Sequence, residues 1–137
     1  MFVEWHRLER SGLRRAQEMV LPLFERTRAF RAYASWLIPA LLQTAGYTAA
    51  LLEAIAARRD LPDDVAEAVQ VRMQRQRVLH EGDHRFAIVI EEWVLRSRIG
   101  TVDTMAGQLG NLLTVGSVPS VSLGVIPMSA TSLSAVT

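Results

Sequence analysis

Phe86-Ala87-Ile88-Val89-Ile90, closed by Glu91-Glu92, is a short apolar run rich in β-branched residues. Its length and continuity predict a strand buried on both faces. Glu91 and Glu92 then favour the N-terminus of a short helix through Trp93, Leu95 and Ile99, which Gly100 ends. Thr101 caps a further helix that sets Val102, Met105, Leu109, Leu112 and Leu113 on one face. After it, Val118 to Ile126 alternates as a second strand until Pro127 stops it. Strands joined through helices pair in parallel with a right-handed crossover. Two strands make a poor sheet, so this one is expected to stay small or to be completed by a partner.

Before the first strand, Glu81-Gly82-Asp83-His84 reads as a turn, preceded by a helix over about 62 to 80. Arg58-Arg59-Asp60-Leu61-Pro62 marks the stop of one helix and the restart of the next. The earlier helix, about 45 to 58, is capped by Thr44 and buries Tyr47, Leu51, Leu52 and Ile55. Pro39 suits the first turn of a short helix. Apolar residues in steps of three and four from Phe2 to Ala34 predict an amphipathic helix kinked at Pro22. The fold class is therefore α+β, mostly helical, with a small parallel sheet of strands near 86–90 and 120–126. Residues 1–128 form one domain and 129–137 a flexible tail. Trp5, Phe24, Tyr47, Leu51, Leu109 and Leu112 are the expected core.

The 137 residues are 50% apolar and 21% charged, with mean hydropathy +0.16, which excludes a disordered chain. Fifteen arginines against 14 acidic residues leave a net charge of +1, so composition gives no general case for nucleic acid or an anionic membrane. The absence of cysteine removes disulfides, thiol nucleophiles and Cys-ligated metal sites. No run approaches the roughly 20 apolar residues of a membrane span, and a cytoplasmic protein is expected.

Phosphate loops, HExxH and GxSxG are absent, and His6, His80 and His84 lack ligand spacing, so no cofactor, metal or catalytic residue is expected. The sharpest polar cluster is Arg72, Arg75 and Gln76, which share one helix face while Gln74 and Arg77 turn away. Buried Arg and Gln need partners. If Pro39 to Tyr47 packs beside that helix and both face the strand end, then Gln43, Thr44, Tyr47, Arg72, Arg75, Gln76, Glu91 and Glu92 line one polar recess. That recess is either a closed ion-paired network or a ligand- or partner-binding site.

Phe2-Val3-Glu4-Trp5, Pro39-Ala40-Leu41-Leu42-Gln43-Thr44 with Tyr47, Arg72-Met73-Gln74-Arg75-Gln76, Glu91-Glu92, Gln108-Leu109 and Val125-Ile126-Pro127 occur in this order. The pattern resembles the uncharacterised C-terminal domain of actinobacterial XRE-family helix-turn-helix transcription regulators, although Ala40 stands where that family usually has glycine. The resemblance implies an antitoxin-like regulatory domain. Its chain begins past the DNA-binding helices and stops before the family's further strands, as a fragment or shortened relative would. Its expected partner is a small protein, a small-molecule ligand or a second copy, with no direct DNA contact and no membrane. The alternative reading is a small-molecule-binding protein or enzyme using the recess around Arg72, Arg75 and Glu91. A DNA reader at 93–113 is disfavoured because Val102 to Leu113 carries Asp103 and no cation to meet phosphate.

Overall fold

The computed structural model describes residues 12–15, 18, 28–59 and 64–130. Its elements run β1 (Ala29–Ala34), a 3-10 turn (Ala40–Leu42), α1 (Ala45–Arg59), α2 (Val65–Arg75), a second 3-10 turn (Gln76–Leu79), β2 (Arg85–Glu91), α3 (Glu92–Arg96), α4 (Val102–Val115) and β3 (Val121–Ile126). The fold is α+β, mostly helical around a small parallel sheet.

Among the described residues the sheet has three strands, in the order β1-β2-β3. β2 pairs in parallel with both neighbours, Phe86 lying level with Phe30 on one side and Val121 on the other. The third strand corrects the expectation of a helix over 2–35. Residues 29–34 are extended, and most of the remaining predicted helix, with Trp5 and Phe24, lies outside the described residues. Ala29-Phe30-Arg31-Ala32-Tyr33-Ala34 has no β-branched residue to announce a strand. Pairing with β2 overrides that weak local preference.

A second correction concerns β2. Phe86, Ile88 and Ile90 are buried, whereas Ala87 and Val89 are exposed, so the strand is covered on one face. Strand order explains this: when successive parallel strands step the same way across a sheet with one crossover hand, their helices fall on the same side. Phe86, Ile88 and Ile90 meet Tyr47, Val94, Met105, Leu112 and Val115 there in the main core. Leu13, Leu52, Val65 and Ala68 make a smaller cluster, where the Asp64 carboxylate accepts the Leu13 and Arg14 backbone N–H groups at 3.1 and 2.9 Å.

Local signals set the helix ends. Thr44 Oγ1 accepts the Tyr47 N–H at 3.1 Å, capping α1. Thr101 and Thr104 form a reciprocal capping box at α4. Gly100, just before it, has φ +74°, and a Cβ there would stand 2.8 Å from Thr104 Oγ1. The buried stripe of α4 is Met105, Gln108, Leu112 and Val115. Leu109 and Leu113 turn outward, the latter 81% exposed, which corrects the predicted stripe by about one position.

Two alanine substitutions test the one-sided sheet. Ile90→Ala is expected to cost about 2–5 kcal/mol. Val89→Ala, one residue earlier on the other face, should cost under about 1 kcal/mol in the same urea titration.

Candidate functional site

The loop between β1 and α1 is unusual because it is buried. Ile38, Leu41, Leu42 and Gln43 are each 6% exposed or less, and the 3-10 turn leaves many of their backbone groups without intrahelical partners. Such groups must be bonded inside the protein or cost free energy. Side chains from the loop itself, α1, the second 3-10 turn and α4 converge to bond them, and Arg72 of α2 braces the Gln43 side chain.

Gln43 folds back on its own loop, its Nε2 donating to the Ile38 carbonyl at 2.8 Å. Its Oε1 accepts from the Thr48 hydroxyl at 2.8 Å and from Arg72 at 2.9 Å. Gln76 Nε2 donates to the Ala40 and Gln43 carbonyls at 2.9 and 2.5 Å. Gln108, fully buried, accepts the Thr44 N–H at 2.7 Å and donates to the Leu42 carbonyl at 2.8 Å. Asn111 reaches the same Leu42 carbonyl at 3.0 Å. The Tyr47 hydroxyl accepts the Ile38 N–H at 3.2 Å. Together these bonds form an amide clamp around residues 38–44.

Gln43, Thr44, Tyr47, Arg72 and Gln76 therefore meet around one loop. Arg75 lies near enough to Arg72 for the two charges to repel. The two glutamates lie elsewhere. Glu91 accepts the Tyr33 hydroxyl at 2.6 Å. Glu92 bonds Arg96 at 2.7 Å and the Met128 N–H at 3.1 Å. The recess as drawn from the sequence is corrected on this point: the side chain of Glu91, alternating with buried Ile90, belongs to the opposite face of the sheet. The sequence reading also missed Gln108 and Asn111. The signal for Gln108 was its place three residues after Met105 and four before Leu112, on the stripe an apolar residue would occupy.

Burial sets the electrostatics. It lowers the Arg72 and Arg75 guanidinium groups to about 10, with Arg72 adding repulsion to Arg75. Burial raises the Tyr47 phenol, against the opposing bond from Ile38. The Tyr33 phenol is raised chiefly by its bond to Glu91. Glu92 is held low, first by the Met128 N–H and then by Arg96. A shallow hollow of about 270 Å³ lies apart from the clamp, lined by Arg77, Val78, Glu81, Gly82 and His84. Among the described residues no three metal-binding side chains gather, and no helix is long and apolar enough to cross a membrane.

Two measurements follow from the clamp. Gln108→Leu strands the partly buried Thr44 N–H, while the Leu42 carbonyl keeps Asn111, so calorimetry should show a loss of about 1–3 kcal/mol. The second is an alkaline titration. Tyr47 and Tyr33 are the two tyrosines of the chain, and both phenols are raised in the folded state. Ultraviolet absorbance should show phenolate forming at higher pH in native protein than in urea. The stability Tyr47 contributes is full below its unfolded pKa and lost as pH rises through its folded one, while the buried arginines act oppositely, their charge penalty being relieved as pH rises through about 10. Tyr47→Phe should remove the Tyr47 share of the falling component and leave that of Tyr33.

No curated protein and no solved structure matches the chain. One family does, described as a domain of unknown function (DUF5753), and its match covers residues 21–137. That span takes in all three strands and the whole clamp, so the chain belongs to the DUF5753 family.

Proposed function

We propose that the chain is a ligand- or partner-binding regulatory domain of a helix-turn-helix transcription regulator. The family match and the motif resemblance over Pro39–Thr44 and Arg72–Gln76 support this reading. The observation that carries it is the carboxyl edge of the sheet. Tyr33 and Trp36 leave the end of β1 62% and 74% exposed, and Met128 follows β3 at 62%. Trp93, after β2, packs edge-on against Trp36 with ring centroids 6.4 Å apart. Aromatic and methionine side chains gathered at one exposed edge are the composition of protein-interface centres. Carboxyl edges of parallel strands are also where open α/β sheets take their ligands.

On this reading the domain performs no chemistry of its own. Gln43, Gln76 and Gln108 are engaged in holding backbone groups, and Tyr33, Trp36, Glu91, Glu92 and Trp93 form the contact surface. The occupant is a small protein or small ligand, in the cytoplasm, and the near-neutral chain makes no direct contact with DNA.

Tryptophan emission tests the reading directly. Where an adjacent reading frame encodes a small protein, titrating the chain with it should shift the emission to shorter wavelength as Trp36 is covered. Trp36→Ala should weaken binding by about 2 kcal/mol or more, as an aromatic anchor does. An unchanged affinity in a folded variant, or no shift with the wild-type chain, would overturn it.

A further inference from the structure

Parallel sheets are ordinarily covered on both faces, because their crossover helices leave neither side to solvent. Here the described helices cover one face, and the other carries Tyr33 and Val89, 62% and 37% exposed, beside exposed Ala87. The charges on that face are sorted along the strands. Arg31 and Arg85 lie toward the amino ends and Glu91 at the carboxyl end. No hydrogen bond or ion pair joins the side chain of Arg31 or Arg85 to a described residue, and Tyr33 uses only Oε1 of Glu91.

We propose that this open sheet face is the contact surface of a two-fold symmetric dimer in which Arg85 of each copy meets Glu91 of the other. The register supplies the symmetry. Arg85 and Glu91 stand three residues either side of Ile88 on β2, about 20 Å apart at the usual rise per residue. A half-turn about an axis lying across the strands over Ile88 sets Arg85 on Glu91 at both ends. Arg31 lies level with Ala87 and Tyr33 level with Val89, one residue either side of the same axis. The same rotation therefore brings Arg31 over the second copy's Tyr33 ring, a cation–π arrangement.

At the centre Ala87 and Gly124 are small enough for the sheets to approach. A Cβ at Gly124 would meet only Val89 Cγ2, at 4.0 Å, on its own copy. The opposite stacking, with strands running the same way, would set Arg85 on Arg85 and Glu91 on Glu91 and is repelled. Three strands of this length project on the order of 300 Å², below the ~800 Å² per partner of a standard interface. The dimer is thus a transient, concentration-dependent one. It shares Tyr33 and Glu91 with the partner surface proposed above, so the two occupants compete there, but it requires no other protein and is tested on the chain alone.

Sedimentation velocity on the full chain from micromolar to millimolar concentration tests the dimer, with circular dichroism confirming that each variant folds. The wild-type chain should dimerise with concentration and less so at high salt. Arg85→Glu and Glu91→Arg should each weaken association at least about tenfold, and combining them should restore it. Because Glu91 flanks α3 and its substitution can disturb folding, Val89→Arg at the centre of the face provides a separate arm and should abolish the dimer. A wild-type chain that stays monomeric would overturn the proposal. So would a dimer that survives Val89→Arg, or a folded double variant that fails to recover.

Discussion

Everything else in the domain is arranged around the need to bury residues 38–44 without orphaning their backbone. The segment joins the edge strand to the first long helix, and its apolar side chains Ile38, Leu41 and Leu42 go to the bottom of the core. Its carbonyls and N–H groups go with them. An unmet buried group of this kind costs about 1–3 kcal/mol, so a loop here is tolerable only if side chains supply what water would have supplied. Glutamine is well suited, since one amide can accept and donate at once. Gln108 does so between Thr44 and Leu42, and Gln43 does so between Ile38 and Thr48.

This gives a physical meaning to the motifs that stand out in the sequence. Pro39-Ala40-Leu41-Leu42-Gln43-Thr44 is the clamped segment, and Arg72 and Gln76 are the residues of Arg72–Gln76 that bond to it. The polarity of that stretch looks like chemistry when read in one dimension. In three dimensions Gln43 and Gln76 hold backbone carbonyls, and Arg72 holds the Gln43 side chain in place. The ion pairs Arg14–Glu18, Arg77–Glu81 and Arg96–Glu92 are short-range helical pairs at the surface. Such pairs contribute little to stability.

The fold was legible where local pattern and tertiary environment agree. The two β-branched or alternating runs became β2 and β3, and Thr44 and Thr101 cap the helices that they announce. It was illegible where packing overrides pattern. β1 has no β-branched residue and only a weak strand preference from Phe30 and Tyr33, and pairing with the edge that β2 offers decides it. The stripe of α4 was misplaced because an amide occupies a position that periodicity reserves for an apolar side chain. The two glutamates of the polar recess lie elsewhere, Glu91 for a related reason: adjacent strand residues face opposite ways, so it parts company with everything Ile90 touches.

The amide clamp also has a temporal side. Its long-range bonds tie together residues 29 to 69 positions apart, from Arg72–Gln43 to Asn111–Leu42. Contacts so distant along the chain form only after most of it is available, and they slow folding because loop closure precedes their reward. On the ribosome, residues 38–44 emerge long before Gln108 and Asn111, and until then their apolar side chains and polar backbone lack the surroundings that reconcile them. The domain is thus committed to a late step in which α4 docks and the loop is sealed, and a nascent chain is most vulnerable to misassembly in the interval before it.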